Sequence, residues 1–304
     1  MPAWPSSGPV PGPWTLSVLR LSEAGELGLL RELEALGLVS GLDAEGAVLG
    51  DGRVATKDML VEGTHFRLDW TGFRDLGYKA GAVNLSDLAA MGADPQGLLV
   101  GLAVPAGAEA EQVISFYEGV SETGVPVVGG DTTEAPKWVV SVTALGRSDR
   151  VPGRAGALPG DVLVLTGSLG ASAAGRYALE HGLEGFGELV SAHRRPPLRL
   201  EAGRKLARSA HAMVDVSDGI GSDAGRIAER SGCRIVLDIA AIPRAPRLEE
   251  VADLPFWSFG EDYELLAALA PGDAVASGFR VVGRCEEGSG IEPSDLGGWD
   301  SFRS

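Results

Sequence analysis

An α+β fold built as two α/β domains is the architecture that this 304-residue chain predicts. Short β-like apolar runs alternate with amphipathic helical stretches along its length. Asp51-Gly52 sits between two such runs as a two-residue hairpin signal, so antiparallel neighbours are expected in place of a uniform doubly wound sheet. The segment RSDRVPGRAGALPG, residues 147–160, is dense in Gly, Pro and Arg, as at a junction between two units. The predicted division is a Pro-rich lead-in over residues 1–20, an N-terminal domain over 21–150 and a C-terminal domain over 151–304.

The first predicted helix covers Gly25 to Leu36, where Leu27, Leu29, Leu30, Leu33 and Leu36 recur near helical spacing among charges. AVLG and RVATKD follow as the two arms of the hairpin, the second delivering Asp58 at its end. From Asp75 to about Met91 the pattern is helical, with Tyr78, Ala82, Leu85, Leu88 and Ala89 available for packing and Asp87 riding on the helix. LLVGLAVP reads as a buried strand, AEAEQVISFYEGVSETG as an amphipathic helix stopped by Gly124, and VPVVGGDTT and WVVSVTALG as two further strands. In the second unit DVLVLTG is a strand, the small-residue stretch GSLGASAAG opens a helix, and Pro196-Pro197 breaks the chain before the helix LRLEAGRKLARSA. AMVDVSD, RIVLDIAAI, ELLAALA and FRVVGRC are the remaining strand-like runs.

With 42 Asp and Glu against 26 Lys and Arg the formal charge is -16, which argues against nucleic acid or an anionic membrane as a partner. Two cysteines, Cys233 and Cys285, are too few for a disulfide framework and lack metal-ligand spacing, so a reduced, cytoplasmic setting is expected. The N-terminal segment has no basic start followed by an apolar core, and no apolar run approaches the roughly 20 residues that span a bilayer.

Chemistry concentrates in acidic segments. Asp58 in TKDMLVEGTHF, Asp87 in NLSDLAAMGADP, Asp131 in VVGGDTT, and Asp215 with Asp218 in MVDVSDGI each lie where an apolar run meets small residues, as expected of strand ends converging on one cleft. Singly, each has a bland explanation as a turn, a cap or a glycine-rich loop. Jointly they point to cations, because carboxylates are costly to bury unpaired, and hard oxygen donors favour Mg²⁺ bridging phosphates. Gly129-Gly130 permits close phosphate approach beside Asp131, and Ser217 with the helix start after Gly219 can meet a phosphate. No G-x-S-x-G elbow and no Walker lysine motif appears, and His181 and His193 fall in segments expected to be exposed.

Read together and in order, GELGLLREL, DMLVEGTHF, GYKAGAVNLSDLAAMGADP, FYEGV, GGDTT, GRAGALPGD, TGSLGASAAG, VDVSDGI, GEDYELL and GGWDSF resemble the thiamine-monophosphate kinase family of the aminoimidazole ribonucleotide synthetase-like superfamily. The resemblance covers nearly the whole chain past residue 20. It implies ATP-dependent phosphorylation of thiamine monophosphate to thiamine diphosphate by direct transfer, with several Mg²⁺ ions. It also implies a homodimer whose N-terminal mixed sheets pair across the interface, with the C-terminal domain packed on each. By the same resemblance Asp58, Asp87, Asp131, Asp215 and Asp218 match metal-binding acids, Asp58, Asp131 and Asp218 being the catalytic ones, with Thr56 and Lys57 at neighbouring metal positions and Glu45 as a further ligand. Tyr117, Gly130, Arg154 and Ser217 match ATP-binding positions, and His65, Glu261 and Trp299 match the thiamine side.

This chain departs from the family at three places. Where the family has GDDAA it has Asp43, Ala44, Glu45, Gly46 and Ala47, so one acid is missing and the other is longer by a methylene. Lys57 stands for a usual Thr, and Ser301 for a frequent His. Activity with altered metal dependence is the expectation. The competing readings are another superfamily enzyme acting on a phosphorylated small molecule, and a nucleotide-binding relic.

Overall fold

The computed structural model describes residues 21–296, except for the side chains of Ala24 and Leu27. The lead-in over 1–20, Trp299 and Ser301 lie outside the described residues. Helix α1 (Leu21–Ala35) belongs to a separate compact unit from the chain beyond Gly41. It starts four residues earlier than the leucine pattern indicates and breaks at Gly25, whose φ of 70° is not helical.

The larger unit contains two sheets. The first is formed by β1 (Ala47–Gly50), β2 (Arg53–Val61), β3 (Asp94–Val104), β4 (Val127–Glu134) and β5 (Val139–Arg147) in the order β1-β2-β5-β3-β4. Only the β3–β4 pair is parallel, so the sheet is mixed. Asp51 and Gly52 both take positive φ, 51° and 72°, which gives the hairpin its tight turn with the right-handed twist its strands need. One face of this sheet carries Val54, Thr56, Leu60, Val140, Val142, Ala144, Leu98, Val100 and Leu102, all buried. Helix α2 (Phe73–Ala90) covers that face, and α3 (Ala110–Ser121) packs on α2. Backbones meet at the α2–α3 contact: a Cβ on Gly77 would stand 1.9 Å from the Phe116 carbonyl oxygen, and one on Gly119 1.8 Å from that of Arg74.

The second sheet runs β11-β8-β10-β6-β9-β7, from β6 (Val162–Leu165), β7 (Ala212–Asp215), β8 (Arg234–Leu237), β9 (Leu265–Leu269), β10 (Arg280–Glu286) and β11 (Gly290–Glu292). Its helices are α4 (Ala171–Glu180), α5 (Gly187–Arg194), α6 (Leu200–Ala207), α7 (Ile220–Ser231), α8 (Leu248–Val251) and α9 (Pro271–Ser277). The mixture of sheets and helices is the expected α+β arrangement, with antiparallel pairing dominant. RIVLDIAAI is shorter as a strand than its apolar run suggests, because Asp238 turns the chain by accepting from the backbone N–H of Ala240 and Ala241.

Helix α2 is buried almost all round, touching β2, β5, α6 and β7 as well as α3. It therefore carries side chains toward both sheets. Among the described residues no helix is long and apolar enough to cross a membrane.

Candidate active site

Strand β2 alternates its side chains, and this alternation sorts the acids. Thr56 and Asp58 point toward α2, whereas Lys57 and Met59 point to the opposite, open face. The Thr56 hydroxyl donates to the Asn84 carbonyl at 3.0 Å, and Asn84 Oδ1 accepts from the Asp58 backbone N–H at 3.0 Å, so β2 and α2 are locked in register. Asp87 follows Asn84 by one helical turn and shares a hydrogen bond with the Asp58 carboxyl.

From the second sheet, β7 ends on Asp215, whose Oδ2 accepts from Ser86 Oγ at 2.6 Å. Glu45, from the segment before β1, completes a group in which one carboxylate oxygen each of Glu45, Asp87 and Asp215 lies within 4.8 Å of the others. Arg154, from the stretch joining the two sheets, grips Glu45 with both sides of its guanidinium, Nε to Oε1 at 3.1 Å, and also donates to the Leu42 carbonyl at 3.2 Å. Asp218 faces the same group and pairs with Arg226 of α7. Its loop is shaped by Asp223, whose buried Oδ2 accepts from the backbone N–H groups of Ser217, Asp218 and Gly219 at 3.1, 3.2 and 3.1 Å.

These acids raise one another's proton affinity. Burial, followed by the charges of Glu45 and Asp218, lifts Asp58 to about 6. Burial, then Glu45, lifts Asp215 to about 8. Asp87 is pushed well up by burial and by Asp58 and Asp215. Carboxylates in that condition hold protons unless positive charge is supplied between them. The donor set is all oxygen, from carboxylates on separate elements, and the two arginines nearby are already paired. Such a set fits a hard divalent cation, with Glu45, Asp87 and Asp215 close enough together to hold one and Asp58 and Asp218 beside them.

The predicted residues thus divide. Glu45, Thr56, Asp58, Asp87, Arg154, Asp215, Ser217 and Asp218 come together. Asp58 stands within β2, which continues to Val61, so it is not the strand end that its sequence indicates; Asp131 is likewise inside β4. Lys57 does not join these acids: its ammonium donates to Ser141 Oγ at 2.6 Å on the open face, the face that also carries Asp131. Asp131 also lies apart. Its partners across the sheet are Gly101 on β3, then Ser141 on β5 and Met59 on β2, which places it on the open face, about 14 Å across three strand spacings from β2. Gly130 is its neighbour on that exposed edge strand, where a Cβ would meet the Val100 carbonyl oxygen at 1.9 Å. Tyr117 is half-buried on α3, edge-on to Phe116.

His65 closes the turn after β2, its Nδ1 accepting from the Val61 N–H at 3.1 Å. His193 is buried, contrary to the expectation of exposure, because α5 packs against α4 and turns the ring inward to Ser172 Oγ at 3.1 Å. Glu261 accepts from the buried Lys79 ammonium at 2.8 Å. Asn84, Ser86, Asp223 and Arg226 join the site in addition to the residues predicted for it. Asn84 is visible in the sequence as a polar residue on the helix face that carries Asp87, Ser86 as its immediate neighbour, and Asp223 and Arg226 as an i, i+3 pair after the SDG turn.

Comparison with known proteins matches this geometry to a family. Residues 43–148 match the AIR synthase related protein N-terminal domain and residues 159–288 its C-terminal domain. A Mycobacterium tuberculosis thiamine-monophosphate kinase is 40% identical over 284 residues, covering 86% of this chain and 85% of the relative. A structure described as AaThiL complexed with AMPPCP and TMP superposes with a TM-score of 0.87 at 31% identity, covering 94% of this chain and 99% of that one. The thiamine monophosphate kinase from Aquifex aeolicus gives a TM-score of 0.82, also at 31% identity, covering 90% and 97%. On this identity and coverage, the chain belongs to the thiamine-monophosphate kinase family.

Proposed function

We propose that this chain transfers the γ-phosphoryl group of ATP directly to thiamine monophosphate, giving thiamine diphosphate and ADP. The observation that carries the reading is the convergence of Glu45, Asp58, Asp87, Asp215 and Asp218, from separate segments and both sheets, on one buried acidic centre. These carboxylates would hold magnesium ions, which would supply positive charge to the phosphate groups of the two substrates. Arg154 and Arg226 stand beside the acids with guanidinium forks suited to phosphate oxygens. No side chain has to remove a proton from the acceptor, because a phosphate monoester with a second pKa near 6 is largely ionised at neutral pH. The residues then act by holding the reactants in line.

Asp131, Gly130 and Tyr117 belong to the nucleotide side in this reading, and His65, Glu261 and Trp299 to the thiamine side. Since Asp131 lies on the open face of the first sheet, it serves a site formed with a second copy of the chain. That face presents Met59, Leu99 and Val128, 50%, 38% and 57% exposed, beside β4, the edge strand among the described residues. A homodimer closing over it would bury the patch. A cytoplasmic setting, no nucleic-acid or membrane partner, and division into domains near residue 150 belong to the same proposal. The test is to mix the protein with MgATP and thiamine monophosphate: thiamine diphosphate and ADP in equal amounts are expected, and release of free phosphate alone would overturn the assignment.

A further inference from the structure

Residues 153–157 run as a strap between β5 and β6, and one hydroxyl from outside ties three of them down: Arg154, Gly156 and Ala157. Ser231, the last residue of α7, accepts at Oγ from the Gly156 N–H at 3.1 Å and the Ala157 N–H at 3.0 Å, and donates to the Arg154 carbonyl at 3.2 Å. Those bonds use the one proton and both lone pairs of the hydroxyl. Gly153 and Gly156 take positive φ, 70° and 116°, and Ala155 between them is small, so the strap has little side chain of its own to anchor it around Arg154. Glycine leaves such a segment free to swivel, and hydrogen bonds then fix where Arg154 points.

Arg154 leads from the strap to the acids. Its backbone N–H donates to the Asp43 carbonyl at 2.5 Å, and its guanidinium gives Nε and Nη2 to Glu45 and Nη1 to the Leu42 carbonyl. One proton on each nitrogen is thereby taken, and one on each terminal nitrogen is left in the fork geometry that meets a phosphate. Helix α7 serves both ends of this arrangement. Its first turn shapes the SDG turn through Asp223, Arg230 stands 3.3 Å from Asp43, and Ser231 holds the strap. Its 12 residues span about 18 Å, so one rigid body sets Asp218 at one end and Arg154 at the other.

Resting on the proposed kinase reading, we infer that Ser231 is a positioning residue for nucleotide binding: by holding the strap on both sides of Ala155, it keeps the free fork of Arg154 aimed at the ATP phosphates. The strap takes up the whole hydrogen-bonding capacity of the hydroxyl, so its effect on the ligand passes through Arg154. Misplacing such a group by an ångström costs up to about 100-fold. The other bonds of Arg154, to Asp43, Leu42 and Glu45, limit the displacement, and about tenfold is expected here.

The test is a double-mutant cycle on the full chain, read as the Kd of a non-hydrolysable ATP analogue with Mg²⁺ in titration calorimetry, with the Tm measured alongside. Ser231→Ala should weaken the analogue by about tenfold in the wild-type background and by less than about twofold in Arg154→Ala, where no fork remains to be placed. Arg154→Lys, which keeps a charge beside Glu45 but no fork, is a second background and should give the same result. The lost backbone bonds should lower the Tm by about 2–4 °C in every background alike. A serine with a structural role alone would move the Tm without the Kd, or weaken the analogue equally with and without the Arg154 fork. Either result, or a Ser231→Ala chain that fails to fold, overturns the inference and leaves the kinase reading intact. A wild-type chain that binds no ATP analogue removes the kinase reading and the inference with it.

Discussion

Asp87 hangs from α2 with Asp58 on one side and Asp215 on the other, so its burial and its charge oppose each other. Replacing it with Asn should lower kcat/KM by at least about 100-fold, measured with saturating MgATP, because a cation-bridging carboxylate is lost. The same opposition sets a pH dependence for metal-free protein. Folded-state values of about 6 for Asp58 and about 8 for Asp215 exceed the ordinary carboxylate range, so the folded chain binds more protons than the unfolded one between about pH 4 and pH 8. Stability contributed by these groups is complete below pH 4 and is lost as pH rises through 6 to 8. In EDTA the Tm should fall across that interval, and added Mg²⁺ should flatten the fall; a Tm that rises with pH in EDTA would contradict the buried arrangement. Asp223 acts on the reaction through position. Asp223→Ala leaves three backbone N–H groups without their acceptor and Arg226 with Asp218 alone, and should cost about 2–4 kcal/mol in denaturant unfolding as well as activity. None of these partners is adjacent in sequence to the acids it serves, except within the SDG turn.

Helix α2 is the element on which the site depends, for it carries Lys79 to Glu261, Asn84 and Asp87 to Asp58, and Ser86 to Asp215. Its interior glycines weaken it as an isolated helix and are retained because α3 approaches too closely for a side chain. Gly77→Ala should therefore destabilise the fold by about 1–3 kcal/mol or more, although alanine is the better helix former, and thermal melting tests the sign. The helix itself was legible from its apolar spacing and small residues. Its double-sided burial was not, since an amphipathic reading assigns one face to solvent. The strand β2 shows the converse: its run of residues identified a strand, but which of Thr56, Lys57 and Asp58 faces the acids is set by pleat and register. Lys57 consequently faces the open side although it is adjacent in sequence to Asp58. Ala44, where the family has an acid, packs against the first core, so that position now contributes apolar contact and Glu45 alone reaches the centre from this segment.

Across the whole molecule, Asp131 provides the decisive experiment. If its carboxylate completes the site of a second copy, an equimolar mixture of Asp58→Asn and Asp131→Asn chains, each nearly inactive alone, should recover about a quarter of wild-type activity after subunit exchange. Half of the dimers would be mixed, and each would have one intact site. Recovery that stays at background would show that Asp131 serves no neighbouring centre. Sedimentation should give a dimer that Val128→Asp disrupts, since Val128 is 57% exposed at the edge of the first sheet. The acidic segments, the strand and helix alternation, the hairpin at Asp51-Gly52 and the family motifs were all readable by themselves, because local conformation and chemical type are written in short stretches of chain. Tertiary structure alone decided which acids meet, that Lys57 turns outward, that His193 is buried and that Lys79 neutralises Glu261. Those outcomes depend on packing between residues far apart in the chain, where burial and register determine which charges face one another.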